Sequence, residues 1–187
     1  MSDPLNNGKM NRRSLLLGAV FLVGGAAALT RFTRQSDAGR DSGPVFSPDQ
    51  FALLEQVSEV MIPASDTPGA MAAGVPDFMR QMLADWGSHE TRAQIQAVLD
   101  RIDKQAWNRY GAAFVALPGE RRLEILRNVD AEGVARQDVA YGKFKWLLLV
   151  GYYQSEVGAT QELRYELVPG AWRACLPLAE VGRASAA

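Results

Sequence analysis

Two residue types that most often act as nucleophiles or soft metal ligands occur once each in this sequence, as Cys175 and His89. A haem-attachment motif, a four-cysteine iron–sulfur cluster, a Cys/His zinc site and a His-rich metal centre all need more than that. No such centre can be built from this chain alone, so any redox centre belongs to a partner. A Ser-His-Asp or Cys-His pair would have to use His89. That residue sits in Trp86-Gly87-Ser88-His89-Glu90, a polar break between two helical patterns, and is expected to be a solvated loop or cap residue. Carboxylates remain. Asp66 and Glu156, brought into one cleft with one pKa raised, could act as general acid and base, which is the hydrolase alternative. Taken alone, Asp66 reads as an Asx-turn or helix cap, and Ser155-Glu156 as a solvated or capping pair. No G-x-G-x-x-G follows a strand and no P-loop is present, so no cofactor of its own is expected.

The chain has 187 residues, 48% of them apolar and 22% charged, with a formal net charge of −1. That profile fits one globular domain of moderate size. Twenty Lys+Arg against 21 Asp+Glu leave no positive excess to neutralise a phosphate backbone, which excludes nucleic acid as the expected partner.

Location is written in the first 30 residues. Lys9, Arg12 and Arg13 precede an unbroken run of apolar and small residues from Leu15 to Leu29, the n-region and h-region of an export signal. The run is shorter than the roughly 20 residues a spanning helix needs, so cleavage is expected, with an uncleaved, membrane-tethered form as the alternative. Arg12-Arg13, between Asn11 and Ser14-Leu15-Leu16, resembles the twin-arginine signal read by the machinery that exports folded proteins. The implied location is the periplasm. The sequence thus divides into a signal at 1–30, a Ser/Gly/Asp/Arg-rich linker at 31–45 and a domain at 46–180.

The domain reads as helices. Ser47-Pro48-Asp49-Gln50 is a helix start with a capping Ser, Pro at the first position and Gln to close a capping box. Phe51, Leu54, Val57 or Ser58, and Met61 follow at helical spacing until Pro63. A second helix starts at Pro76-Asp77, with Phe78, Met79, Met82, Leu83 and Trp86 on its apolar face. A third runs from about Thr91 to Tyr110, with Ile95, Leu99, Ile102 and Ala106 in register and Asp100/Lys104 as an i, i+4 pair. Leu123, Leu126 and Val129 form a shorter stripe. Phe144 to Tyr153 is apolar nearly all round, as in a central helix or one with a second face against a partner. The spacing predicts a mostly α fold: a compact irregular bundle of about five helices with long ordered loops and an extended C-terminal segment.

Two stretches carry more turn chemistry than a bundle connection requires: Ile62 to Val75, and Gly158 to the end. Cys175 lies in the second and is expected as a buried thiol, with an intermolecular disulfide as the alternative. Ile62-Pro63, Asp66-Thr67-Pro68-Gly69-Ala70 and Ala73-Gly74-Val75, then Gly151-Tyr152-Tyr153-x-Ser155-Glu156-x-Gly158, then Leu163-x-Tyr165 before Pro169-Gly170, together resemble the gluconate 2-dehydrogenase subunit 3 family. The resemblance runs from about Phe46 to Trp172.

It implies a non-catalytic accessory subunit, without its own cofactor, of a periplasmic sugar, sugar-acid or polyol dehydrogenase. It also implies a large flavoprotein subunit of the glucose-methanol-choline type that holds FAD, and in some complexes a multihaem cytochrome c as a third subunit. The small subunit then resembles a carrier whose twin-arginine leader exports the folded, FAD-loaded partner. A stand-alone scaffold or binding protein is the remaining alternative. The residues expected at the partner interface are Asp66, Thr67, Pro68, Gly69, Trp146, Tyr152, Tyr153, Tyr165 and Trp172. Of these Trp146 and Trp172 are favoured, because buried aromatics dominate binding energy.

Overall fold

Ser47 begins the first helix as its sequence predicts. In the computed structural model, which describes residues 43–166, 170, 175 and 177–186, helix α1 spans Pro48–Met61. The Ser47 hydroxyl accepts the Gln50 N–H at 3.1 Å, and the Gln50 side-chain oxygen accepts the Ser47 N–H at 3.3 Å. This reciprocal capping box satisfies two backbone donors that a helix start leaves open. The expected leader, most of the linker and Trp172 lie outside the described residues. Val45, at the end of the expected linker, is already buried beside Phe46, and its carbonyl accepts a bond from the Gln96 side chain.

Helix α2 spans Val75–Asp85 and α3 spans His89–Tyr110. Gly74 before α2 and Gly111 after α3 have φ of 73° and 67°, backbone that side chains disfavour. A 3-10 turn at Phe114–Ala116 leads to α4 at Gly119–Ala135 and α5 at Val139–Tyr153. A π-helical turn at Gly158–Glu162 follows. Strand β1, Arg164–Tyr165, pairs in parallel with β2, Ser185–Ala186, after a short α6 at Leu178–Val181. The five long helices bear out the expected bundle. The C-terminal stretch, expected to be extended, also contains the π-helical turn and α6.

The core follows the helical stripes with local shifts. Leu54, Val57, Met79, Ile95, Leu99, Ile102, Phe114, Ile125, Phe144 and Leu148 are buried together, and α5 packs against α2, α3 and α4. Four expectations need correction. Trp86 is 83% exposed because α2 ends at Asp85, which turns the indole off the apolar face. Leu123 is exposed while Ile125, Leu126 and Val129 are buried, so the stripe of α4 is rotated. Asp100 accepts from the Gln50 side chain of α1 at 3.0 Å, and no ion pair with Lys104 occurs among the described residues. Cys175 is exposed, against the expectation of a buried thiol.

Arg92 is a buried charge with a structural reason. Its Nε donates to the Leu83 carbonyl at 2.8 Å and its Nη2 to the Ala84 carbonyl at 2.9 Å. These carbonyls lie in the last turn of α2, where orphan acceptors and the negative dipole end both favour a cation. Arg92→Ala is expected to destabilise the chain by about 1.5–3 kcal/mol, the range for hydrogen bonds to a charged group. A denaturant midpoint shift with unchanged slope would register it.

Asp138 ties α5 to α3. Its Oδ1 accepts the Ala140 and Tyr141 N–H groups at 2.9 and 3.1 Å, and its other oxygen pairs with Arg101. The Arg101 hydrogen bond, followed by the Tyr141 N–H, holds this carboxyl below the usual aspartate range. The Lys145 ammonium, 2.6 Å from Asp130, does most to lower that carboxyl. Burial, then the hydrogen bond to Asp130, raises the Tyr141 phenol. Depressed folded values mean that the carboxylates' stabilisation is present above the unfolded aspartate pKa of about 3.9. It is lost as pH falls through the folded values. Stability measured against pH is therefore expected to drop on the acid side, and the drop should be smaller in Asp138→Asn.

Candidate functional site

Two of the three motif segments meet at Tyr152. This residue on the last turn of α5 is 3% exposed. Its hydroxyl donates to the Pro68 carbonyl at 3.0 Å and lies 3.3 Å from the Thr67 hydroxyl. Thr67 in turn donates to Glu162 at 3.1 Å. The Ile62–Val75 loop is thereby clamped between α5 and the π-helical turn, across 85 residues of chain separation. Its own backbone bonds, Ser65 N–H to Thr67, Ala70 N–H to Ile62 and Val75 N–H to Ala70, leave few polar groups to be met elsewhere.

Glycines in these motifs mark close approaches. A Cβ at Gly69 would sit 2.6 Å from a Glu59 carboxylate oxygen and 2.7 Å from the Ala64 nitrogen. The same carboxylate accepts the Met71 N–H at 3.0 Å. A Cβ at Gly151 would meet the Phe78 ring at 2.7 Å. Ser155 closes the end of α5 by donating to the Tyr152 carbonyl at 2.6 Å and accepting the Gly158 N–H at 3.0 Å. The Gly-Tyr-Tyr-x-Ser-Glu-x-Gly run is thus a packing device that fixes the loop on the helix.

The expected interface residues fall into two groups. Thr67, Gly69 and Tyr152 are buried and spend their contacts within the chain, and Pro68 offers its carbonyl to Tyr152. Asp66 is exposed, with its carboxylate accepting from Ser65 at 3.0 Å. Trp146, Tyr153 and Tyr165 are also exposed. Replacing Tyr152 by Phe removes the donor to Pro68 while keeping the ring. The expected cost is about 1–2 kcal/mol, with faster amide exchange confined to residues 65–74 as the signature of a loosened loop.

Glu156 and Asp66 both face solvent, and His89 is exposed at the start of α3. Among the described residues, no group of three or more His, Cys, Asp or Glu is placed to hold a metal ion.

The surface itself is more informative. Trp146 is 64% exposed, with Val139, Leu149 and Tyr153 also exposed along α5. Trp86 and Trp146 flank an apolar groove of about 290 Å³, lined also by Met82, Leu83, Ile95, Lys143 and Leu147. The sequence pattern gave no sign of Trp86 here, since the end of α2 decides its direction. Trp107 borders a separate groove of about 670 Å³ with Asp49, Asp100, Asp103 and Lys104. It too was missed, because one exposed indole on an amphipathic helix carries no periodic signal.

A helical domain whose motifs lock a loop in place, and whose surface bears an apolar aromatic face, has the features of a subunit that binds another protein. The family model described as gluconate 2-dehydrogenase subunit 3 matches residues 48–170. That is most of the chain, and the chain belongs to this family. No curated protein and no solved structure matches it. The family's name makes its members subunits of a multi-subunit dehydrogenase, and the match spans all three motif segments. No helix among the described residues is long and apolar enough to cross a membrane.

Proposed function

We propose that this chain is the non-catalytic accessory subunit of a periplasmic dehydrogenase. Its partner is a large flavoprotein of the glucose-methanol-choline type that oxidises gluconate or a related sugar or polyol at FAD. A multihaem cytochrome c is the natural third subunit, carrying electrons onward. Family membership over residues 48–170 carries the reading. One Cys and one His in the whole chain support a division of labour in which the partner supplies the redox centre.

Export completes the role. Flavin is inserted before the partner crosses the membrane, so the passenger is folded and needs the twin-arginine route. Arg12 and Arg13 are the residues of this chain that address that machinery, and the N-terminal segment, if uncleaved, or the complex itself would keep the assembly at the inner membrane. Asp66, Trp146, Tyr153 and Tyr165 are the exposed candidates for partner contact, with Trp172 proposed beside them. Thr67, Pro68, Gly69 and Tyr152 act at one remove by holding the Asp66 loop in shape.

The test is purification of this chain alone and with the flavoprotein. Alone, it is expected to be colourless and inactive on gluconate, glucose and sorbitol. Co-expressed, it should raise the amount of soluble, active flavoprotein recovered from the periplasm. Flavin that stays with this chain after denaturing separation from every partner would overturn the assignment.

A further inference from the structure

The outer face of α5 has no counterpart within the described chain. Tyr141, Phe144, Leu147, Leu148, Gly151 and Tyr152 point into the core, while Val139, Trp146, Leu149 and Tyr153 are 67, 64, 38 and 41% exposed. With exposed Gly142 between the first two, the set recurs at three- and four-residue steps, so it forms one stripe, about 21 Å long at 1.5 Å per residue. Single exposed apolar residues are ordinary, but a contiguous stripe of this kind is a binding surface. Beside it, Trp86 is 83% exposed and forms the far wall of the groove that Trp146 borders.

Two further observations say what covers this face. Gly142 is exposed on the same stripe, one turn before Trp146, and a Cβ built there meets nothing within 4 Å. Glycine inside a helix is unfavourable by about 1 kcal/mol relative to Ala, and here no contact among the described residues requires it. Gly133 and Gly151, by contrast, have aromatic rings where a Cβ would go. A gap at Gly142 lets a second backbone approach closely, as in helix-on-helix packing.

The charge is also one-sided. Residues 139–153 contain Lys143 and Lys145 and no Asp or Glu. Lys145 pairs with Asp130 at 2.6 Å. Lys143, on the groove wall, donates to the Gln94 amide oxygen at 2.8 Å, and Gln94 donates onward to Glu90 at 3.0 Å. Among the described residues Lys143 forms no ion pair.

We infer that this face, Gly142, Trp146, Leu149 and Tyr153 with Trp86, receives an amphipathic helix of the flavoprotein subunit, crossing at Gly142 and setting a carboxylate against Lys143. The inference rests on the accessory-subunit reading and names the surface that serves it. An apolar anchor of the incoming helix enters the groove between the two tryptophans, where Leu83, Ile95 and Leu147 form the floor. Desolvated aromatic anchors of this kind dominate binding.

The co-exported pair provides the experiment. A photo-crosslinking amino acid at Trp146 is expected to capture the flavoprotein, and the same probe at Trp107, on the other groove, is expected not to. Combined Trp86→Ala and Trp146→Ala should raise the dissociation constant about thirtyfold or more, the scale of a hot-spot loss, with unchanged helix content. Gly142→Leu gives an opposite pair of signs: a more stable free chain, since Leu is the better helix former, and a weaker complex. Lys143→Glu should weaken binding, and reversing the charge of the crosslinked helix's acidic residue should restore it. If the flavoprotein co-purifies with the wild-type chain while the tryptophan variants and Gly142→Leu bind normally, this surface is wrong and the accessory role stands. Capture of a second copy of this chain at Trp146 would likewise overturn it. If no flavoprotein accompanies the wild-type chain, the accessory reading itself fails.

Discussion

Gly158→Val leaves little or no folded chain. A Cβ on Gly158 would fall inside van der Waals contact of the Tyr152 carbonyl oxygen, 2.8 Å from the Tyr152 carbonyl carbon and 2.9 Å from the Tyr153 Cα. All three are backbone atoms at the end of α5, so no side chain can swing aside to relieve the overlap. Moving Gly158 outward would break its N–H bond to Ser155 and the bond its carbonyl accepts from Leu163. It would also pull Glu162 away from Thr67. Overpacking alone costs about 1–3 kcal/mol, and the lost bonds add to it. The sum reaches the exceptional range above about 4 kcal/mol, against a total stability of about 5–15 kcal/mol for a domain. Far-UV circular dichroism on the soluble fraction should show a melting transition that is lost or strongly lowered. Gly142→Ala, at an open position, should melt at or above the wild-type temperature. Wild-type melting of Gly158→Val would show that the turn after α5 is not the tight approach described.

Replacing Arg12 and Arg13 together by Lys is expected to stop export of this chain and of the proposed flavoprotein partner. The substitution keeps both positive charges, so an ordinary secretory signal, which needs only a basic n-region, would still function. Guanidinium and ammonium differ in geometry: Arg offers a rigid planar fork of donors, Lys a point charge. Recognition of a paired-arginine motif depends on the first and fails with the second. Cell fractionation with antibodies to both proteins reads the result. Retention of both in the cytoplasm is expected, and normal periplasmic levels of both would remove the twin-arginine assignment.

Local rules were legible wherever the chain obeys them alone. The start of α1 could be read from Ser47-Pro48-Asp49-Gln50, since a capping box is complete within four residues. Helix α3 could be read from the spacing of Ile95, Leu99, Ile102 and Ala106, all buried. The near-uniform apolarity of α5 announced two faces without saying which was which. Contacts across long separations were not legible. Nothing near Tyr152 indicates that its hydroxyl holds Pro68, and nothing near Arg92 shows that it caps the helix before its own. Trp86 was misplaced because a helix end one residue earlier reverses what periodicity implies. Thr67 and Tyr152, expected at an interface from their motif, also hold the loop together. Their role became visible only once α5 was laid beside residues 62–75.

Affinity isolation of this chain from the cells that make it, followed by separation under denaturing conditions, tests the accessory role most directly. The expected result is one large flavoprotein in equimolar amount, with gluconate, sugar or polyol dehydrogenase activity in the intact complex and all flavin absorbance in the large chain's fraction. Recovery of this chain by itself, with no flavoprotein and no dehydrogenase activity, would contradict it.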